Sequence, residues 1–436
     1  MLTVLDLKIS KLEKVLGLDT QHVLPLISSD VSSPLQNWSP TDTTLFVGDN
    51  LPYLKELALC SPGVVDMCYI DPPYNTGSKF LYNDSRKSNI SGHFGSHSAW
   101  MGFMLPRLVA AREMLKNSGV IAISIDDYEY AYLKILMDCV FGEDNFIGSI
   151  IVCRSKNGKG SKKNIASNHE YLLVYGKTSQ ANLRGQIDES TYDKEDKYGS
   201  YRIDGLFRKK GEASLRSDRP NMFYPLYFNP ESGEVSVDKI TNWNVTHPID
   251  SKGIERRWLW SAETAREREW QLYASKNGVI YVKNYSSDGI NQKRTKVRTL
   301  WSETEFYTER GTNEINKLFG AKVFDTPKPL HYIKKIIDIC SSSDAVILDF
   351  FAGSGTTAHA MAELNESDNG TRKCILMESD IDIPTKHLAR EMGFKKISDI
   401  TEKRLELIRD RFHNFNFHVI APFADSKENI AMIHSR

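Results

Sequence analysis

The segment Asp71-Pro72-Pro73-Tyr74 places a carboxylate, two rigid prolines and an aromatic ring in succession at the end of a predicted strand. A carboxylate and a backbone carbonyl accept hydrogen bonds, and an aromatic side chain stacks on a flat ligand. Proline lacks a backbone N–H and has a fixed φ, so the two prolines end the apolar strand predicted over 64–70 and make its end rigid. The alternative role for Asp71 is a turn cap, which would not require the tyrosine.

A second candidate site lies at Ile347–Ala360, where a strand pattern leads into a glycine turn and then a helix. In this geometry, backbone amides and a helix N-terminus hold polar ligands. Gly353, Gly355 and Ala358 match the spacing G-x-G-x-x-G/A, and Glu378 ends the next predicted strand, where an acid can bind ribose hydroxyls. The pattern alone fits a dinucleotide site, a site for another adenosine cofactor, or a tight turn without a ligand.

The elements that must position these groups alternate between strands and helices over 44–177 and again over 328–412. Such alternation predicts an α/β sheet covered by helices. Residues 180–310 lose the alternation and are richer in Gly, Asn, Ser, Trp and clustered basic residues. One α/β domain interrupted by an inserted module explains this order, and two separate α/β domains are the alternative. Residues 2–17 have the apolar spacing of an amphipathic helix.

Composition narrows the class of protein. The chain has 436 residues, and its 56 basic and 56 acidic side chains balance, so no overall charge attracts a polyanion. Six cysteines without a C-x-x-C pair suit a reducing compartment better than a disulfide framework. No signal-peptide pattern and no apolar run approaching about 18 residues are present. We therefore expect a cytoplasmic protein without a membrane segment, and without a metal cluster.

Taken as a pair, "DPPY" at 71–74 and "FAGSG" at 351–355 resemble the S-adenosylmethionine-dependent amino-methyltransferases of DNA. The order, with the catalytic motif before the cofactor motif, is similar to their permuted β class. Flanking segments resemble the modification subunits of type III restriction systems and their solitary relatives: "FVGDN" (46–50), "GVIAISIDD" (119–127), "NHEYLLVYGK" (168–177), "RPNMFYPLY" (219–227) and "TPKPLHYIKKII" (326–337). This resemblance spans most of residues 44–412.

The resemblance implies a circularly permuted, Rossmann-like α/β methyltransferase fold. Its sheet would be mixed and mostly parallel, with helices on both faces and an inserted target recognition domain. The implied divisions are an N-terminal helical segment, a catalytic half, the recognition domain, a cofactor-binding half and a C-terminal tail, at 1–43, 44–180, 181–310, 311–412 and 413–436. A restriction subunit is a possible partner, but the recognition insert is more compact than is usual for type III modification subunits, which puts the existence of this partner in doubt.

The resemblance also implies methyl transfer to adenine N6 of a base flipped out of double-stranded DNA. The catalytic residues would be Asp71, Pro72, Pro73 and Tyr74. Asp71 and the Pro72 carbonyl would accept the two N–H bonds of the amino group, and Tyr74 would stack on the base, a contact worth about 1–3 kcal/mol. Alternatives are cytosine N4, which a serine in place of Asp71 would favour, and an RNA base. A nicotinamide-dependent oxidoreductase leaves DPPY unexplained, and the intact motifs disfavour a DNA-binding protein with a dead site.

The residues implied for binding S-adenosyl-L-methionine are Asp49, Lys328, Pro329, Asp349, Phe351, Gly353, Gly355, Thr356, Thr357 and Glu378. Asp49 could instead cap a helix, as could the two threonines. We expect DNA phosphates to be contacted where basic residues cluster, although such clusters are also typical of solvated faces: Arg154, Lys156, Lys159, Lys162, Lys163, Arg208, Lys209 and Lys210. The tryptophans of the insert are expected in its core. Relatives of this class commonly pair, so a homodimer is expected.

Overall fold

The structure is a computed structural model that describes residues 35, 38–76, 97–158, 164–188, 190–286, 293–420 and 432–433. The predicted helix over 2–17 lies outside these described residues, as do Lys159, Lys162 and Lys163. The described chain divides into two compact units. The larger unit runs up to Gln186 and resumes at Lys296, and the inserted unit is Ile187–Thr295.

The inserted unit is shorter than the recognition domain predicted over 181–310. Residues 296–310 belong to the larger unit, because a strand at Leu300–Trp301 pairs there with Ile151 and Val152 and Trp301 is buried in that unit's core. The change in composition near residue 180 therefore lies close to the start of the inserted unit, but composition does not give the exact bounds of that unit.

The strands of the described chain, numbered from the N-terminus, are β1 (Thr43–Val47), β2 (Val65–Ile70), β3 (Leu115–Ile125), β4 (Phe146–Cys153), β5 (His169–Gly176), β6 (Gln186–Ile187), β7 (Lys194–Asp196), β8 (Gly199–Leu206), β9 (Leu226–Phe228), β10 (Val235–Ser236), β11 (Asn244–Thr246), β12 (Leu272–Ala274), β13 (Ile280–Tyr285), β14 (Arg294–Thr295), β15 (Leu300–Trp301), β16 (Val346–Asp349), β17 (Lys373–Glu378), β18 (Phe417–Ile420) and β19 (Met432–Ile433).

The α-helices, numbered in the same way, are α1 (Asn50–Cys60), α2 (His97–Met114), α3 (Tyr130–Phe141), α4 (Ala262–Glu267), α5 (Thr308–Phe319), α6 (Leu330–Cys340), α7 (Thr356–Asp368), α8 (Leu388–Glu391) and α9 (Ile397–Arg409). In the part of the chain that the structure describes, no helix is both long enough and apolar enough to cross a membrane.

A sheet of ten strands, counted over the described residues, forms the centre of the larger unit. Its order is β15-β4-β5-β3-β2-β16-β17-β1-β18-β19. The strands from β3 to β18 in this order pair in parallel, whereas β5 is antiparallel to both β3 and β4. The late strand β16 lies beside the early strand β2, as a permuted chain order requires. The mixed, mostly parallel sheet confirms the predicted fold class.

Helices cover both faces of this sheet. Successive side chains of a strand point to opposite faces, so Phe46 packs into one core and Leu45 into the other. Helices α1, α2 and α3 contribute to the core that contains Phe46, and helices α6, α7 and α9 contribute to the core that contains Leu45. Central strands that are buried on both faces have nearly continuous apolar sequences. For this reason, these strands can be predicted from the sequence.

Strand β18 corrects the C-terminal boundary drawn from the sequence. The segment 413–436 was expected to be a tail, but Phe417–Ile420 pairs in parallel with β1 through the register Thr44–His418 and Leu45–Val419. Phe412 and Phe415 are buried in the core of the larger unit. The sheet of this unit therefore extends to Ile420 and continues into the β19 backbone.

The inserted unit consists mainly of short antiparallel strands. Strands β12, β13, β8 and β7 form one sheet, and β10, β9 and β11 form another. Its core includes Trp258, which stacks on Phe207 with ring centroids 5.3 Å apart. The expectation that the tryptophans form the core therefore holds for Trp258, whereas Trp270 is 37% exposed.

Candidate active site

Three acidic residues of the predicted site meet at one edge of the central sheet. Asp71 follows β2, Asp349 ends β16 and Glu378 ends β17. These strands are parallel neighbours, so their carboxyl ends open on the same side. In open α/β sheets, ligands bind outside the carboxyl ends of the strands. The strand order thus brings together two motifs that are far apart in the sequence.

The Asp71 carboxylate accepts two hydrogen bonds on one oxygen. The Tyr74 hydroxyl and Lys328 Nζ each donate to Asp71 Oδ1 at 2.7 Å. Lys328 Nζ also donates to the Tyr74 hydroxyl at 2.9 Å, which closes a triangle of the three groups. Hydrogen bonds between charged partners are roughly twice as strong as neutral ones. This triangle therefore fixes Asp71 Oδ1, while the Asp71 side chain keeps 25% of its surface exposed.

A second carboxylate, that of Glu170 on β5, lies close to the same ammonium. Glu170 Oε2 is 3.6 Å from Lys328 Nζ and 3.4 Å from the Tyr74 hydroxyl oxygen, whose proton is closer to Asp71. Burial raises the pKa of Glu170, and Lys328 opposes this rise. Burial also works against the charge of Lys328, but Asp71 and Glu170 together leave the pKa of Lys328 above its ordinary value. Lys328 is thus one cation shared by two acids.

The backbone around these groups is held by neighbouring elements. Trp100 of α2 is fully buried and donates its indole N–H to the Pro73 carbonyl at 2.7 Å. Pro72 is buried as well. Pro329 is the N-cap residue of α6, so Lys328 immediately precedes that helix. The segment 71–74 is therefore held in place both by its prolines and by a hydrogen bond from the buried Trp100.

The glycine turn after β16 has the conformation that its sequence predicts. Gly353 and Gly355 have φ of +54° and +79°, a region that glycine tolerates without strain. A Cβ at Gly353 would lie 3.3 Å from Cζ of Phe324, and a Cβ at Gly355 would lie 3.3 Å from Cγ2 of Thr401. The Gly353 amide donates to Glu378 Oε2 at 2.6 Å, which ties the turn to the end of β17.

Helix α9 supports this turn through two side chains. Thr401 Oγ1 donates to the Gly353 carbonyl at 2.6 Å. Arg404, which is 1% exposed, donates from Nη1 to Ser354 Oγ at 3.0 Å and to Thr356 Oγ1 at 2.9 Å. Burial lowers the pKa of Arg404 to about 10, so the guanidinium remains charged at neutral pH. The buried Arg404 guanidinium thus holds the turn at Ser354 and Thr356.

The hydroxyls of Thr356 and Thr357 are both engaged within the protein. Thr357 Oγ1 donates to Asp349 Oδ2 at 2.6 Å, and the Phe351 amide donates to Asp349 Oδ1 at 3.1 Å. Burial raises the pKa of Asp349 to about 7 in spite of these bonds. The contacts give the two threonines a structural role in shaping the turn.

A cavity of about 500 Å³ opens at the carboxyl edge of the sheet. Its lining includes four aromatic rings, an arginine and four acids: Phe103, Phe324, Phe350, Phe351, Arg107, Asp49, Asp71, Glu378 and Asp380. A smaller cavity of about 50 Å³ is lined by residues from both motifs, including Asp71, Lys328, Asp349, Gly353 and Thr357.

The chemistry of this lining fits an adenosine cofactor. The volume of the larger cavity falls within the roughly 300–1,000 Å³ of typical ligand pockets. Aromatic rings can pack on a purine. Each Glu378 oxygen can accept a hydrogen bond from a ribose hydroxyl in addition to the hydrogen bonds that it accepts from the protein. These donors are the amides of Gly353 and Ser379 and the Ser379 hydroxyl. Burial raises the pKa of Glu378 to about 7.

Asp49 has two structural contacts beside this cavity. Its Oδ1 accepts from the Leu51 amide at 3.1 Å, which caps α1, and from Arg107 Nη2 at 2.9 Å. Arg107 also donates from Nε to Asn50 Oδ1 at 2.6 Å. Burial lowers the pKa of Arg107 to about 10. The cap suggested by the sequence is therefore present, and Asp49 also lines the cavity.

The structure places the described basic residues of the predicted DNA surface in both units. Arg154 and Lys156 follow β4 in the larger unit. Arg208, Lys209 and Lys210 follow the buried Phe207 in the inserted unit, and Arg208 Nη1 donates to the Ile249 carbonyl.

Three residues at the site were not identified from the sequence. Glu170 is an acid within the apolar strand "HEYLLVYG", and Arg107 is the one charged residue between Trp100 and Ala111. A charged residue inside an apolar element that becomes buried must be paired, and this was the available signal. Arg404 lies on an amphipathic helix with several other charged residues, so its sequence context gave no signal.

Comparison with known proteins identifies relatives of the chain. Residues 65–383 match the N6/N4 methyltransferase family model, described as DNA methylase. The chain is 61% identical over 417 residues to the type II methyltransferase M.KpnI of Klebsiella pneumoniae, which covers 95% of this chain and 98% of that protein. It is 35% identical over 416 residues to the EcoPI Mod subunit of Escherichia phage P1, which covers 87% of this chain.

The chain is 36% identical over 387 residues to the StyLTI Mod subunit of Salmonella typhimurium, and this alignment covers 82% of the chain. This chain spans 64% of the EcoPI subunit and 55% of the StyLTI subunit, so it aligns with only part of these two longer proteins. A family match over most of the chain, together with 61% identity along nearly all of a relative, confirms the resemblance seen in the motifs. The chain therefore belongs to the N6/N4 DNA methylase family and is a DNA methyltransferase.

Proposed function

We propose that this protein is a site-specific DNA methyltransferase that transfers a methyl group from S-adenosyl-L-methionine to adenine N6 of a flipped-out base in double-stranded DNA. The observation that carries the proposal is the position of Asp71. Its carboxylate is held by Tyr74 and Lys328 and lines the cavity that ends at Glu378. An acceptor for an amino group and a cofactor pocket thus share one edge of the sheet.

The four residues of the DPPY motif bind and orient the amino group. Asp71 and the Pro72 carbonyl accept the two N–H bonds, which draws the nitrogen away from conjugation with the ring and exposes its lone pair. Tyr74 contacts the base, while its hydroxyl keeps Asp71 in place. Pro73 fixes the backbone through its rigid φ and its bond from Trp100. When bound, S-adenosylmethionine supplies an electrophilic methyl group on a sulfonium.

The cofactor is held at the edge formed by β1, β16 and β17. Phe351 and Gly353 line its pocket and Gly355 belongs to the turn beside it. Glu378 accepts hydrogen bonds from the ribose hydroxyls, and Asp49 lies in the pocket wall next to Arg107. Asp349, Thr356 and Thr357 hold the turn. Lys328, which the motif assigns to the cofactor, acts on Asp71 instead, because its ammonium is already bonded to that carboxylate. Pro329 starts α6.

The inserted unit supplies recognition of the target sequence. Arg208, Lys209 and Lys210, together with Arg154 and Lys156 of the larger unit, anchor DNA phosphates, and such contacts position the protein without reading sequence. Asp71 in DPPY favours adenine over cytosine N4. In this proposal, the inserted unit recognises the target sequence and the larger unit carries out catalysis.

The protein works as a homodimer on double-stranded DNA in the cytoplasm, within a restriction-modification system or as a solitary enzyme. M.KpnI, the relative that matches this chain along 98% of its length, is named a type II methyltransferase. Other relatives are named Mod subunits of type III restriction-modification enzymes, so a restriction subunit is a further candidate partner.

Base-resolved sequencing of methylation-free plasmid DNA, incubated with the protein and S-adenosylmethionine, tests the proposal directly. We expect N6-methyladenine at one recurring sequence. Asp71→Ala should lower the single-turnover rate by roughly 100-fold or more, because it removes a preorganised acceptor. Binding of S-adenosylhomocysteine, measured by calorimetry, should be nearly unchanged.

Asp127→Ala is the matched control, since this acid lies just after β3 with 56% of its side chain exposed. It should retain the wild-type rate. Methylation at cytosine, or an Asp71→Ala variant that keeps more than about a tenth of the wild-type rate, would contradict the proposed role of Asp71.

A further inference from the structure

The network at the reacting edge contains two carboxylates, Asp71 and Glu170, but a single lysine, Lys328. We propose that Glu170 is a positioning residue that neutralises Lys328, so that Asp71 keeps its negative charge for the amino nitrogen. This inference rests on the proposed function and adds to it a residue outside the DPPY and glycine motifs.

The need for such a residue follows from the charge that develops during transfer. The N6 lone pair would form the bond to the methyl carbon, and the carbon–sulfur electron pair would leave on sulfur as neutral S-adenosylhomocysteine, so positive charge would pass from sulfur to N6. The methylated nitrogen would then release one proton to solvent. Asp71 stabilises this charge only if its own charge is not already cancelled. Lys328 Nζ lies 2.7 Å from Asp71 Oδ1, so Asp71 and Lys328 alone would form a neutral pair.

Glu170 has the position required to restore the balance. Its Oε2 faces Lys328 Nζ at 3.6 Å and the Tyr74 hydroxyl at 3.4 Å. With Glu170 ionised, the group of Asp71, Lys328 and Glu170 has a net charge of −1. Without it, the same group is neutral. Arg154, just after β4, favours the charged form of Glu170 from outside this group of three, because it forms no ion pair with Glu170 among the described contacts.

Burial makes this charge balance effective. The side chains of Lys328 and Glu170 are 15% and 7% exposed, so water screens their interaction with Asp71 weakly. Removing one partner of a buried pair leaves the other charge uncompensated. The geometry also suggests how the network adapts to a base. When an amino group reaches Asp71, the ammonium can shift from Asp71 toward Glu170 without losing a carboxylate partner.

Removing and then restoring the net charge of this network provides the test. Glu170→Gln removes one negative charge, and the double variant Glu170→Gln/Lys328→Met restores the net charge of −1. We expect Glu170→Gln to slow single-turnover methylation of plasmid DNA by about tenfold or more at saturating cofactor, and the double variant to recover most of that loss. A residue with a purely structural role would give the opposite order, because the double variant loses more contacts.

Two further variants complete the experiment. Glu170→Asp keeps the charge and should be faster than Glu170→Gln. Glu303→Gln/Lys335→Met removes another ion pair, made by a lysine of α6, that shares no residue with this network, and it should leave the rate unchanged. Calorimetry with S-adenosylhomocysteine should give the same affinity for all five proteins, including the wild type.

The inference is overturned if Glu170→Gln is as fast as the wild type, if the double variant is no faster than Glu170→Gln, or if Glu170→Gln loses cofactor affinity instead of rate. A failure of the proposed function looks different. In that case the wild-type protein itself forms no N6-methyladenine, whatever the variants do.

Discussion

At the scale of single residues, Glu378 connects cofactor binding to pH. Its pKa is raised to about 7 by burial, so near neutral pH a substantial part of the protein carries a protonated Glu378. A ribose hydroxyl donates more strongly to a carboxylate than to a carboxylic acid, so the bound state favours the ionised form. The raised pKa belongs to the free protein, and cofactor binding must lower it.

The direction of the pH dependence follows from this difference. Above pH 7 Glu378 is ionised before binding, and affinity is at its maximum. Below pH 7 a proton must leave, so the dissociation constant of S-adenosylhomocysteine should rise by up to about tenfold per pH unit. Calorimetry between pH 6 and pH 8 measures this slope. Glu378→Gln should bind more weakly at pH 8 and show a flat profile. A slope that persists in this variant would assign the titration to Asp349 instead.

At the scale of elements, the glycine turn between β16 and α7 leaves little room for a side chain. A Cβ at Gly353 would approach Phe324, and an aspartate there would place a second negative charge close to Glu378. Gly353→Asp should therefore abolish measurable S-adenosylhomocysteine binding while the protein stays folded.

Gly320→Asp separates the effect on the pocket from the cost of the backbone conformation. Gly320 has φ of +78° and ends α5, and a Cβ at this position would have nothing within 4 Å. An L-residue in this conformation costs roughly 1–2 kcal/mol in either variant. Thermal unfolding should show comparable losses for both proteins, whereas calorimetry should show a loss of binding only for Gly353→Asp. Equal cofactor affinity in the two variants would refute the role of the turn.

The sequence was informative where function depends on a short rigid segment. Asp71 and Gly353 were found because proline and glycine impose a backbone that can be read locally. Glu170 and Arg404 were missed because their roles depend on partners brought in by the sheet and by α9. Strand β18 did have a local signal, the alternation of Phe415, Phe417 and Val419 with polar residues. Its membership of the sheet, however, depends on β1, which is distant in the chain.

At the scale of the molecule, an exposed apolar edge of the larger unit supports the proposed homodimer. Leu300 of β15 and Ile151 of β4 are register partners, and they are 63% and 40% exposed. Phe146 and Ile147 of β4 are also exposed. Exposed apolar side chains on a sheet edge are typical of protein interfaces.

Ile151→Lys/Leu300→Lys should therefore convert the protein from dimer to monomer, as measured by light scattering with and without DNA. Leu59→Lys introduces a lysine at a 50% exposed leucine on α1 and should leave the dimer intact. S-adenosylhomocysteine affinity should not change in either variant. A wild-type protein that is monomeric in both conditions and fully active would contradict the dimer.

The two connections of the inserted unit leave the larger unit close together. The Arg298 amide donates to Gln186 Oε1 at 3.4 Å, so the chain departs and returns at one point of that unit. Insertions whose ends are adjacent disturb their host little. If the inserted unit recognises the target sequence, as proposed, exchanging Ile187–Thr295 as one cassette would change the DNA sequence that is methylated and leave the catalytic residues in place.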